Sequence, residues 1–394
     1  MGKRRQSAMV PKLCLLFLLV FLAFWATRTH FSKLHVVKAA TPTELRIAEA
    51  GWWPTKGTAA PEEYAGTGSC ASCHSEIFQR QQKTPMAEAL SPANGTSIPG
   101  LSQKPAQFRV NGLDYEVVAN DKLNYSVRDG KNSLSVPVNW IFGDGQFGRT
   151  FVYEYKGNYY ESRLSYYGEG HGLDFTTGNP GQTPGRLDAA LGRRMSLDEL
   201  PLCFGCHSTK ASTNGQFDPS HLTPGVSCEA CHGPGTAHVA EMSMGSGRSA
   251  TLISNVSKLS PTDSVDYCGA CHRTSADVTL MGVTGVLTLR FPAYRLERSR
   301  CWGKNGDGRL TCIACHDPHE DLVREATAYD KKCLGCHQAA GSSKLRASNH
   351  LPSCPTGRPG CVSCHMPKHE IPEMHATFTD HRIGIYAPNA AFSE

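Results

Sequence analysis

Hydrophobic and polar positions alternate in three different ways along the chain. From Leu13 to Ala26 fourteen apolar residues follow one another without a break. That falls short of the about 20 residues a membrane-spanning helix needs and suits the core of an export signal. From about Phe108 to Tyr167 apolar and aromatic residues alternate with polar ones in DYEVV, SLSVPV, TFVYEY and YYESRL, the period of half-buried strands. Asn111-Gly112, Asp129-Gly130 and Lys156-Gly157-Asn158 mark turns between them. A small antiparallel β module, a sandwich or half-barrel, is expected there. Glu76 to Leu90 has helical spacing, whereas from about 181 onward periodicity is weak, with only short helical pieces. The pattern divides the chain into a targeting segment (1–40), a linker with a first small module (41–95), the β-rich insertion (96–180) and a long last part (181–394). The linker, about 41–66, is rich in Ala, Pro, Thr and Gly.

Where periodicity fades, cysteine takes over. Cys-x-x-Cys-His occurs at Cys70, Cys73 and His74, then at Cys203, Cys206 and His207, and at Cys228, Cys231 and His232. It recurs at Cys268, Cys271 and His272, and at Cys312, Cys315 and His316. The last two copies are Cys333, Cys336 and His337, and Cys361, Cys364 and His365. Two thiols about one turn apart form thioethers to the two haem vinyl groups, and the adjacent imidazole becomes the first axial ligand of the iron. From the Cys and His frequencies, chance predicts about 0.03 copies. Zinc ribbons also use CxxC pairs, but they do not require His directly after every second Cys. Seven covalently attached haem c groups are expected. Six of them fall within about 190 residues, a globule with a radius of gyration of roughly 16 Å. The macrocycles must then supply the apolar core of that half, which is expected to stay unfolded without them.

The motifs use fourteen of the 17 cysteines, leaving Cys14, Cys301 and Cys354. Cys14 lies inside the apolar run. For Cys301 and Cys354 a disulfide in an exported protein is the preferred account, and a sulfur ligand or catalytic thiol the other. The formal charge of +5 misleads. Beyond residue 40 there are 33 basic and 35 acidic residues, a net of −2, and every haem adds two propionates. Nucleic-acid binding is therefore not expected, and the acidic holoprotein suits a basic redox partner. Cleavage near Val37-Lys38-Ala39 is preferred over an uncleaved anchor that would attach the chain to the membrane. Either way the chain is exported, to the periplasm or another extracytoplasmic space, with or without an inner-membrane tether.

Whether a haem shuttles electrons or binds a substrate depends on its sixth position. Outside the targeting segment the non-motif histidines are His171, His221, His238, His319, His350, His369, His375 and His381. His238, His319, His350, His375 and His381 are the candidate sixth ligands, joined by Met86, whose thioether sulfur can also ligate c-type haem iron. His319 follows His316 too closely to serve the same iron and is expected to reach another haem. His221 is evenly balanced, His171 reads as a surface residue and His369 as solvated. Gly168 to Gly172 reads as a glycine-rich connection, because no helix pattern follows it.

The runs GVSCEACHGPGTAH, LTCIACHDPH, CVSCHMPKHE and FTDHRI, with Thr84 to Met86, resemble the superfamily of pentahaem nitrite reductase and the nitrifier tetrahaem cytochrome c. Within it they are most similar to the cytochrome c-552/4, or doubled-CXXCH, group. The resemblance covers about 64–386 and implies an exported multihaem cytochrome c with haems stacked in parallel and perpendicular pairs, mostly bis-His ligated. Its implied fold is mostly irregular, with short α-helices packed around haems and the β module inserted. The implied function is electron transfer along closely packed haems in a respiratory chain, between a redox protein donor and an acceptor, without catalysis. The alternative is a multihaem oxidoreductase reducing a nitrogen or sulfur oxyanion at one open haem. No CxxCK motif, the usual mark of the catalytic haem in the nitrite reductases, occurs here.

Overall fold

The structure, a computed structural model, describes residues 59–98, 100–101, 103–179, 181, 184–245, 252–302, 310–337, 359–387 and 390–394, without the Cys336 side chain. The targeting segment, His350 and Cys354 lie outside the described residues. Among those described, no helix is long and apolar enough to cross a membrane.

Two antiparallel sheets share one core. The first is a meander of β2 (Ala106–Val110), β3 (Leu113–Ala119), β4 (Leu123–Arg128) and β5 (Ser133–Pro137). The second runs β1 (Leu90–Pro92), β6 (Trp140–Phe142), β7 (Arg149–Tyr155), β8 (Asn158–Tyr166) and β10 (Gly192–Arg194), with β9 (Leu173–Phe175) also paired to β8. The module is thus a sandwich, and its outer strands reach beyond 96–180 on both sides. The alternation does what its period requires: Leu113, Tyr115, Val117 and Ala119 of β3 point inward, as do Leu123, Tyr125 and Val127 of β4. They meet Phe151, Tyr153 and Leu164 of the second sheet. Each such side chain contributes about 1.5–3 kcal/mol on burial. Asn111 (φ 51°) and Gly112 (φ 78°) close β2 onto β3, and Lys156 (φ 50°) and Gly157 (φ 71°) close β7 onto β8. Two successive positive φ values make both turns two-residue hairpins whose twist suits the strands.

The rest of the chain is built differently. Its helices are short: α1 (Thr67–Ala71), α2 (Ser75–Gln81), α3 (Leu187–Leu191), α4 (Glu199–His207), α5 (Cys228–His232) and α6 (Thr236–Met244). Then come α7 (Pro261–His272), α8 (Ser275–Met281), α9 (Pro292–Glu297), α10 (Cys312–Cys315), α11 (Asp330–His337) and α12 (Cys361–His365). Five motif helices end on the motif histidine, and in all of them but α11 the two thiols lie on one face, one turn apart. Beyond residue 252 the apolar clusters are small: Val265, Ala293, Leu296 and Trp302 in one, Val278, Phe291 and Tyr294 in the other. Leu202, just before the second motif, and Leu334, inside the sixth, stay 48% and 46% exposed, whereas Phe204, Ala230 and Ala270 inside their motifs are buried.

Polar ties hold this half where apolar contacts are few. Glu229, between the cysteines of the third motif, is 2% exposed. Its carboxylate accepts the backbone N–H groups of Ala65 (2.8 Å), Gly66 (2.9 Å) and Gly235 (2.8 Å). It thereby fixes the approach to the first motif against the third. Replacing Glu229 with Ala leaves three donors without an acceptor, at about 1–3 kcal/mol for each one that stays buried. We expect the thermal midpoint of the holoprotein to fall and the chain around Gly66 to become protease-sensitive, which limited proteolysis would read.

Candidate haem sites

The motif histidines are oriented by backbone. His207 Nδ1 lies 3.0 Å from the Ala89 carbonyl oxygen, His232 Nδ1 2.8 Å from that of Ser254, and His365 Nδ1 2.6 Å from that of Gly384. Donating Nδ1–H to a carbonyl fixes the tautomer and leaves Nε2 with a free lone pair, the arrangement metal-bound imidazoles use.

Two motif rings face a second imidazole. His319 lies parallel to His232, with centroids 6.0 Å apart and planes 7° from each other. His381 faces His316 at 6.2 Å and 42°. With metal–imidazole bonds of about 2 Å on either side, two rings sharing one ion have centroids about 6 Å apart. The second rings are oriented too: His319 Nδ1 lies 3.0 Å from Asp317 Oδ1, and His381 Nδ1 3.2 Å from the Thr379 carbonyl oxygen. Burial and the neighbouring His316 push His381 down to about 4, and burial also lowers His316. Both are therefore neutral at pH 7, the form that binds a metal.

His272 sits among other motif histidines. Its side chain is exposed, yet desolvation by the surrounding protein, with His207 and His316 nearby, lowers its pKa. Beside the fifth motif a cavity of about 200 Å³ is lined by Cys315, His316, Leu322, Val323, Ala328 and Tyr329, among others. The lining also includes Asp317, Glu320, Asp321 and Lys332, so the fit to haem c rests on the thiol pairs and the Nε2-free imidazoles. Among the described residues no three His, Cys, Asp or Glu side chains come together as a metal-ion cluster.

The family model described as "Cytochrome c554 and c-prime" matches residues 167–233. The multiheme cytochrome MtrA of Shewanella baltica (strain OS185) is 22% identical over 213 residues, covering 50% of this chain and 54% of the relative. The chain thus spans about half the length of the curated relative it matches. The crystal structure of the outer cell wall cytochrome OcwA aligns with a TM-score of 0.47 and 14% identity, over 82% of this chain and 79% of that one. The chain is a multihaem c-type cytochrome.

Thiols of this cytochrome meet across motifs. Cys70 lies against Cys228, Cys268 against Cys312 and Cys333 against Cys361, each pair within hydrogen-bonding reach. The Tyr267 hydroxyl donates to the Cys231 carbonyl and stands beside Cys268 and Cys271, joining the third motif to the fourth. Cys206 approaches the Ala270 carbonyl at 3.7 Å, joining the second motif to the fourth, and Cys315 lies near Cys333, joining the fifth to the sixth.

Met86 is half-buried, and its carbonyl accepts the Val226 N–H at 2.8 Å. His238, on α6, is also half-buried. His375 stacks on His171 at 4.6 Å, and its Nε2 lies 2.9 Å from Asp174 Oδ2, so the nitrogen a ligand would use is engaged. His221 is bound by Asp218 at 2.7 Å, and His369 meets Phe392 edge-on. Cys301 is half-buried near Cys333.

Sequence reading gave no role to Arg295, which lies in no motif, or to Asp380, which lies in FTDHRI beside His381. The guanidinium, 0% exposed, holds the Asp380 carboxylate through Nε (2.8 Å) and Nη2 (2.6 Å). Asp380 also accepts the Arg382 N–H at 2.8 Å, fixing the backbone on both sides of His381. Replacing Arg295 with Met strands a buried carboxylate, at a cost of about 3–5 kcal/mol. Denaturant unfolding should show it, and adding Asp380→Leu should recover part of the loss.

Proposed function

We propose that this cytochrome is an exported electron-transfer protein carrying haem c at all seven CxxCH sites, with mainly bis-His ligation. One observation carries the reading: every motif touches another through its own side chains or backbone. The contacts run from the first motif to the third, fourth, fifth, sixth and seventh, and the second joins at the fourth. When bound, haem c supplies a one-electron iron couple. The protein's part is to hold these centres within touching range, set their axial ligands and limit their contact with water. His319 is assigned as the sixth ligand opposite His232, and His381 opposite His316. Met86, His238 and His350 are proposed for other irons. The apolar run of the targeting segment supports export, and the partners are a redox donor and an acceptor.

The test is the spectrum of the holoprotein. A pyridine haemochrome assay should return seven haems per chain. Paramagnetic resonance of the oxidised form should show low-spin iron, and carbon monoxide should leave the reduced spectrum unchanged. A high-spin haem that takes up carbon monoxide in the wild type would sink the purely electron-transferring reading in favour of an oxyanion reductase.

A further inference from the structure

The haem-ligand rings are not all held by the same kind of group. His207, His232, His365 and His381 each meet a backbone carbonyl oxygen at Nδ1, at 2.6 to 3.2 Å. His319 meets a carboxylate: its Nδ1 lies 3.0 Å from Asp317 Oδ1. The same oxygen accepts the His319 backbone N–H at 2.9 Å. Pro318, between the two, has its φ fixed by its ring. Carboxylate and imidazole are thus set against each other within three residues.

The surrounding charges leave this carboxylate to His319. Arg80 stands near Asp317, but its guanidinium pairs with Glu320. Asp321 and Lys332 line the cavity beside Asp317 and offset each other in charge. Among the described residues the ion pair that Asp317 makes is with His319. The two side chains are 44% and 33% exposed, and a pair that open adds little to stability. Its effect falls on the imidazole instead. A hydrogen bond to a charged acceptor is roughly twice as strong as one to a neutral carbonyl. It pulls the Nδ1 proton away from the ring and makes Nε2 the stronger donor.

We infer that Asp317 tunes the haem of the third motif, holding its iron at a lower potential than a carbonyl partner of His319 would. This rests on the electron-transfer reading and on His319 as the ligand opposite His232. A more electron-rich imidazole stabilises ferric over ferrous iron, because the ferric ion carries the extra positive charge. The third motif touches the first and the fourth. A haem biased toward the ferric form at that place passes its electron to a neighbour rather than storing it. Asp317 is a positioning residue, since it reaches the iron only through His319.

The experiment is a reductive titration of the holoprotein followed by paramagnetic resonance, in the wild type and three variants. His319→Ala identifies the third-motif haem as the low-spin signal that turns high-spin. Asp317→Asn keeps the shape of the side chain and removes its charge. That variant should leave the signal low-spin and shift its one-electron equilibrium about tenfold toward the reduced form, or about 59 mV. The other haems should move less, and Asp317→Glu should stay closer to the wild type. A low-spin signal at an unchanged potential in Asp317→Asn overturns the proposal. So does a new high-spin haem in that variant, because Asp317 would then be needed to keep the ligand bound. Equal shifts of several haems overturn it as well, since the carboxylate would be acting through its charge at long range and not through His319. If His319→Ala leaves every haem low-spin, the ligand assignment fails and the proposal with it. The electron-transfer reading is judged separately, by whether carbon monoxide binds the reduced wild type.

Discussion

Replacing His381 with Ala should turn one low-spin haem of the oxidised cytochrome into a high-spin haem that binds carbon monoxide once reduced. The expectation rests on geometry before chemistry. His381 faces His316 across 6.2 Å, a separation that suits one shared metal ion. Burial and His316 together keep the His381 ring neutral, down to about pH 4. Its backbone is held by Asp380, whose carboxylate is clamped by Arg295. Such a ring is a ready ligand, and alanine in its place offers none. Paramagnetic resonance and carbon monoxide difference spectra read the change, about one haem in seven. Adding imidazole should restore the low-spin signal. The same replacement at His375 should leave the spin state alone, because its Nε2 is taken up by Asp174. If His375→Ala changes the spin state and His381→Ala does not, the assignment of the two histidines is reversed.

What could be read from the sequence followed from the range of each signal. A CxxCH motif is complete within five residues, so the attachment sites needed no fold to be seen. Strand alternation is equally local, and the β sandwich came with its turns at Asn111-Gly112 and Lys156-Gly157. Its outer strands were harder. Leu90–Pro92 and Gly192–Arg194 span only three residues each, too few to show a period, and they become strands by pairing with β6 and β8. The sixth ligands were legible only as a set of candidates. Spacing sends His319 away from the iron of His316, but its place opposite His232 depends on a fold that brings residues 87 apart in sequence together. His375 shows the same limit of range, since the Asp174 carboxylate beside its Nε2 lies 201 residues away. Arg295 is an ordinary charged residue in sequence, and Asp380, though inside FTDHRI, shows its role there only through burial and the clamp of Arg295.

Blocking haem attachment should unfold most of the chain beyond the sandwich and leave the sandwich standing. The two halves draw their stability from different sources. Tyr115, Val117, Leu123, Tyr125, Val127, Phe151 and Leu164 are all at most 1% exposed, in a core made by protein alone. At about 1.5–3 kcal/mol per buried side chain, that core can oppose the entropy of ordering its strands. From α7 onward no comparable core exists among the described residues, and the largest clusters hold three or four fully buried side chains. Leu334 meanwhile stays 46% exposed inside its own motif, as it would if the macrocycle were to cover it. Expression without a haem-attachment system should therefore give a chain whose far-ultraviolet circular dichroism is dominated by strand. Trypsin should cut it down to a resistant fragment near residues 90–195, identifiable by mass. The holoprotein should resist the same treatment from about residue 60 onward. If the haem-free chain instead keeps its helices and resists trypsin beyond Arg273, the protein's own contacts suffice there. Haem would then occupy a fold it does not build, and the cavity beside His316 would be preformed.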